Sequence, residues 1–151
     1  MEEVNKAMMK QYPIKHMTET SLVFPKDPEP ILKQLLFMLK TLIHLGYTLS
    51  VICPKDFGLR DKVLFLKRDT HVVPLGHFDS KVEGECFVPD LPKGTSSLAV
   101  TYASVGLFAY YLWTRKKRTK LAECDYGKLK GTKIYYFIKN AMEKNPILLY
   151  L

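Results

Sequence analysis

The chain reads as an α+β domain: one long amphipathic helix, a small antiparallel β-meander, and one or two C-terminal helices on the same side. Three observations predict this class. A wide apolar stripe recurs at helical spacing between Asp27 and Gly46. Short apolar segments bounded by turn residues follow between positions 47 and 88. An uncharged run at 94–114 and a periodic segment at 132–144 then close the sequence.

Each element has its own signal. Glu2–Gln11 suits a short helix with Val4, Ala7 and Met8 on one side, stopped by Pro13. Residues 14–26 are extended or loop, and Ser21-Leu22-Val23-Phe24 is their strand-like piece. Asp27-Pro28-Glu29-Pro30 is a helix start, because Asp27 can accept hydrogen bonds from first-turn N–H groups and proline needs no donor there. The helix runs from about Pro28 to Leu45 and stops at Gly46. Its stripe carries Leu35, Leu39 and Leu42, with Lys33, Lys40 and His44 on the remaining face, which predicts a mostly buried helix against a sheet.

The strand candidates are Tyr47–Cys53, Lys62–Arg68, His71–Leu75 and Glu85–Val88. Pro54, Gly58, Asp69-Thr70, Gly76 and Gly84 break them, and Leu91-Pro92-Lys93-Gly94 ends the meander. Asp56-Phe57-Gly58 spells a kinase magnesium motif, but the other kinase parts are missing and a turn accounts for it. Thr132–Lys144 reads as a helix ended by Pro146, although its β-branched and aromatic start also suits a strand, and Ile147–Leu151 reads as an apolar tail able to pack down as a terminal strand. With no repeat, linker or low-complexity segment, residues 1–151 read as a single domain.

Composition excludes wholesale disorder: 47% of residues are hydrophobic and 25% charged. The formal net charge of +8 is uneven. Residues 1–93 hold 13 Lys and Arg against 12 Asp and Glu, while residues 94–151, the basic third, hold 10 against 3. Such asymmetry points to an anionic partner or surface, with a solvated face as the plain alternative. Cys53, Cys86 and Cys124 form no C-x-x-C pair, and the acidic N-terminus has no signal-peptide pattern. Free thiols in a reducing, intracellular setting, cytoplasmic or nuclear, are therefore expected.

The run 94–114 (GTSSLAVTYASVGLFAYYLWT) raises the question of a single membrane span near 96–114. Trp113 and the following basic cluster fit an anchor. Its hydroxyl groups dilute its hydropathy, however, and Ala99, Ala103 and Gly106 share a small-residue face suited to close packing. The expectation is a helix over Leu98–Trp113 with those three residues against the sheet and Thr101, Ser104 and Tyr111 turned toward water or partners.

Arg115, Lys116, Lys117, Arg118 and Lys120 are the candidate partner-binding residues. They suit an acidic protein surface, and with Lys128, Lys130, Lys133 and Lys139 and the interleaved Tyr126, Tyr135 and Tyr136 they also suit nucleic acid. The cluster equally fits a helix C-terminus or a nuclear-import signal. His71, His77, Cys53 and Cys86 fit no standard zinc spacing, and nothing places an oxyanion hole beside a Cys86–His77 pair. Dinucleotide, Walker A, nucleophile-elbow and zinc-protease motifs are absent. No catalytic, cofactor or metal residue is therefore predicted. The reading favoured is a non-catalytic binding or adaptor module acting in a protein complex, with a single-pass membrane protein and a nucleic-acid-binding domain as alternatives.

Overall fold

Helix α1 (Glu2–Gln11) opens the chain and buries Val4 and Met8 of the face that its spacing predicts, with Ala7 half-buried beside them. The computed structural model describes residues 2–70, 72–77 and 85–143. Strand β1 (Glu19–Ser21) follows, and then helix α2 (Glu29–His44). The start of α2 is as the sequence expects: the Asp27 carboxylate accepts from the Glu29 N–H at 3.2 Å, and prolines occupy the first turn. Its end is set by Gly46, whose φ of +89° is the left-handed geometry that glycine takes without a Cβ clash.

The long helix is central. Leu32, Leu35, Met38, Leu39 and Leu42 are all buried and belong to one core cluster that runs from Val4 to Met142. α1 packs against α2, and both helices also meet the strands that follow α2.

The strands are short and antiparallel, as expected, but they divide into two sheets rather than one continuous meander. β2 (Tyr47–Thr48) pairs with β5 (Val73–Pro74). β3 (Phe57–Arg60) and β4 (Val63–Leu66) form a hairpin, and β1 flanks β3, giving the order β1-β3-β4. β3 lies where the sequence reads as a turn. Its Gly58 is tolerated because the Phe65 ring of the facing strand lies over it; a Cβ built there would stand 2.6 Å from that ring. The hairpin turn is Asp61-Lys62, both at positive φ (50° and 65°), the geometry of a two-residue mirror-image turn. Lysine in the second position hides that turn from a composition reading. The Glu85–Val88 segment contributes a single bridge, Ile52 to Phe87. His71 and the tail 147–151 lie outside the described residues.

Edge protection of β4 comes from side chains. The Asn5 amide of α1 donates to the Leu66 carbonyl and accepts from the Leu66 N–H, both at 2.8 Å, imitating a neighbouring strand. Gln34 of α2 accepts from the Leu64 N–H at 2.6 Å. Two helices thus close the backbone groups that an edge strand would otherwise leave open.

Helix α3 (Ser97–Thr114) covers the uncharged run, with the Ser96 hydroxyl accepting from the Ala99 N–H as its N-cap. Among the described residues, no helix is long and apolar enough to cross a membrane. Two expectations about α3 are corrected. Gly106 faces helix α4 (Lys133–Met142), not the sheet: a Cβ there would meet Met142 at 2.8 Å and Ala141 at 3.0 Å. Thr101 and Ser104 do not turn to water; both are buried. Thr101 donates toward the carbonyls of Leu49 (2.6 Å) and Ser50 (3.0 Å). Ser104 accepts from the Ile52 N–H at 2.7 Å and donates to the Phe87 carbonyl. Phe87 N–H bonds the Ile52 carbonyl directly at 2.8 Å, so the Ser104 hydroxyl stands in for the second bond of that pair. The hydroxyls satisfy backbone that does not complete a ladder of its own.

Cys53 and Cys86 flank the same bridge and are joined as a disulfide. This overturns the expectation of three free thiols. A disulfide persists in oxidising surroundings, so the argument from cysteine usage to a reducing compartment falls.

Candidate functional site

The basic cluster begins where α3 ends. Arg115 takes the left-handed conformation (φ 61°) that terminates the helix, and its N–H returns to the Tyr111 carbonyl at 2.7 Å. Its guanidinium reaches back across the fold to the carbonyls of Phe24 (3.2 Å) and Pro25 (3.3 Å), with its centre 5.1 Å above the Phe24 ring. Phe24 in turn meets Phe108 and Tyr111 edge-on. Arg115 is therefore part surface cation, part clasp on the 22–25 segment.

Lys116 is exposed and makes no ion pair among the described residues. Lys117 holds its ammonium 5.2 Å from the Phe87 ring. Arg118 donates to the Glu123 carbonyl (3.2 Å) and to the Lys117 carbonyl (3.1 Å). Lys120 pairs with Asp90 at 3.1 Å, both well exposed, and the Asp90 N–H bonds the Thr119 carbonyl. The Glu123 carboxylate collects the Thr119 hydroxyl, the Thr119 N–H and the Lys120 N–H. The Thr119 hydroxyl bond is the main reason its carboxyl sits below the usual range.

Electrostatically, the acceptors matter more than the count. Arg115 and Arg118 are held by carbonyl oxygens, which carry no net charge. Their positions are fixed while their charge stays unneutralised. An exposed Lys–Asp pair such as Lys120–Asp90 is worth little and is screened by salt. The segment Arg115–Lys120 is thus a shaped, net positive surface, with Arg115 over the Phe24 ring and Lys117 over the Phe87 ring.

The tyrosines that suggested base stacking are largely spent on the fold. Tyr126 and Tyr135 meet edge-on at 4.7 Å, and Tyr126 also meets Tyr110. Tyr110 is fully buried, and its hydroxyl donates to the Asp125 carbonyl and accepts from the Asp125 N–H. Burial pushes the Tyr126 phenol and the Cys124 thiol up from their ordinary values. Of the three interleaved rings, Tyr136 is the exposed one, at 55%. Lys133 is paired with Glu29 at the start of α2 rather than offered to a partner. Lys128, Lys130 and Lys139 are exposed.

The candidate chemistry around cysteine changes as well. Cys53 and Cys86 are consumed by their disulfide, so neither supplies a thiolate to a metal or to His77. Among the described residues, no group of three or more His, Cys, Asp or Glu side chains is placed to hold a metal ion.

One feature had no legible signal: a hollow of about 540 Å³ on the outer face of β1-β3-β4. Its lining includes Glu19, Ser21, Arg60, Phe65, Lys67 and Arg68. It depends on β3, the strand that composition hides. No protein family matches the chain, and no curated protein or solved structure matches it either.

Proposed function

We propose that this protein is a non-catalytic binding module whose Arg115–Lys120 segment docks an acidic surface of a protein partner. The observation that carries the reading is the bracing of the cluster. Arg115 and Arg118 are anchored to backbone carbonyls, so two guanidinium groups are held in place with their charge available. Beside them Lys116 is exposed and without an ion pair among the described residues. A fixed cation loses less conformational freedom on binding than a mobile one, and interface arginines recognise carboxylates with two parallel hydrogen bonds. Tyr126 and Tyr135 are engaged inside the fold, which favours a protein surface over stacked bases.

Placing a photo-crosslinking residue at position 116 tests this. The expected result is a protein adduct that diminishes as salt rises and that a Lys120→Glu change weakens. An adduct no stronger than one formed from position 62 on the hairpin turn would defeat the reading. An adduct to nucleic acid in place of protein would replace it with the nucleic-acid alternative.

A further inference from the structure

We propose a second site, independent of the basic cluster: the hollow on the outer face of β1-β3-β4 binds a small phosphorylated molecule. The sheet pleat builds it. Glu19, Ser21, Gly58, Arg60 and Phe65 fall on one face by the strand register, opposite the buried Leu59, Leu64 and Leu66. Gly58 has no side chain, so the Phe65 ring lies down over it and the face sinks between β1 and the 67–69 segment. The resulting volume, about 540 Å³, is in the range that small-molecule sites occupy.

Its polar groups are arranged for an anion. Arg60 is preset: it donates to the Glu19 carboxylate from Nε at 3.1 Å and Nη2 at 2.7 Å, and its centre lies 4.2 Å from the Phe65 ring centroid. Lys67 and Arg68 line the same hollow, and neither has an ion-pair partner among the described residues. Next to it is a smaller hollow of about 230 Å³, also lined by Arg60 and Arg68 and adding Asn5 and Lys6 of α1. Arg60 and Arg68 are thus shared by two adjoining hollows, and Lys6 and Lys67 stand one in each. The Arg60–Glu19 pair is neutral overall, so Arg68, Lys67 and Lys6 stand against Glu2 and Asp69, which leaves the two hollows net positive by one charge. The Ser21 hydroxyl is on the wall as a neutral donor. A phosphate at the saddle would meet the Arg68 guanidinium and the Arg60 donors that Glu19 does not occupy, with its organic body in the larger hollow.

Titrating isotope-labelled protein with inorganic phosphate, inorganic pyrophosphate and ribose 5-phosphate, followed by amide shifts, tests the site. Saturable shifts at residues 19–21 and 65–69 are expected, strongest with the sugar phosphate if the larger hollow takes the organic body. Arg68→Ala should weaken binding about tenfold, and Lys67→Ala should weaken it less. Both residues lie outside the core, so the folded variants are available for comparison. A Lys116→Ser, Lys120→Ser variant controls for the other basic surface and should bind as the parent does. Tight binding of free phosphate equal to that of the sugar phosphate would assign the saddle to phosphate itself and overturn the small-molecule assignment. No saturation at millimolar concentration, or binding that survives Arg68→Ala and is lost in the Lys116/Lys120 variant, would overturn the site altogether without touching the docking role of the basic cluster.

Discussion

Ser104 shows most directly what one atom does in this protein. Its hydroxyl connects the Ile52 N–H to the Phe87 carbonyl in the interior, so Ser104→Ala strands a buried donor and a buried acceptor. The expected cost is about 1–3 kcal/mol, read from urea denaturation. Gly106 is the steric counterpart. With Met142 and Ala141 already within 3.0 Å of any Cβ, Gly106→Leu should overpack the contact with α4 and destabilise by about 1–3 kcal/mol. Lys62 offers the opposite sign. It holds a left-handed φ of 65° that glycine adopts freely, so Lys62→Gly should stabilise by about 0.5 kcal/mol once the greater chain entropy of glycine is set against the strain relieved. A rise in the melting temperature checks it. The pH response also lives at this scale. Glu29 is held below the ordinary 4.5, chiefly by its hydrogen bond to Lys133. A depressed carboxyl adds stability that is present above its unfolded value and lost as pH falls through the folded one. The melt should therefore decline below about pH 4.5, and Lys133→Met should flatten that decline.

At the scale of the element, helix α2 and strand β4 make a pair. α2 was legible because its apolar stripe, its proline start and its glycine stop agree with one another. Leu39→Ala on that stripe should cost about 2–5 kcal/mol, since the side chain is only 2% exposed. β4 depends on α2 in a way periodicity does not reveal. Gln34 is buried on the helix because its amide accepts from the Leu64 N–H. Asn5 does the same for Leu66 from α1. Replacing Asn5 with Ala should speed amide exchange at Leu66 while leaving Phe65 protected by β3. Equal exchange at both would show that the hairpin opens as a unit and that the amide clamp contributes nothing. The missed strand, β3, has its explanation here too. Phe57-Gly58-Leu59-Arg60 carries a glycine and only four residues, and its stability comes from β1, β4 and the Phe65 ring rather than from propensity.

For the molecule as a whole, the Cys53–Cys86 bond is a covalent constraint across a sequence separation of 33. It ties the chain just before Pro54 to the segment in which Phe87 meets Lys117 and Asp90 meets Lys120. Reduction should cost about 2–4 kcal/mol by freeing the unfolded chain. A melt in reducing agent indistinguishable from one without it would show that the two cysteines are unbonded in solution. The same measurement on a Cys53→Ser, Cys86→Ser variant separates loss of the bond from any effect of the reductant on the free Cys124.

Taken alone, the sequence determined the α+β class, the long helix α2 and the placement of charge after α3, and it left open whether one or two helices close the chain. Each rests on local signals: apolar spacing, capping residues, proline and glycine stops, and runs of like charge. What the tertiary structure decided is partnership. It placed Gly106 on α4 rather than on the sheet, turned Thr101 and Ser104 inward to complete the backbone of other segments, and set Cys53 against Cys86. It also anchored Arg115 on the carbonyls of Phe24 and Pro25 and sank the hollow around Arg60 and Arg68. A hydroxyl, a glycine or a cysteine reads the same in sequence whatever it faces. Its role is fixed by groups tens of residues away, whose position depends on how the whole core closes.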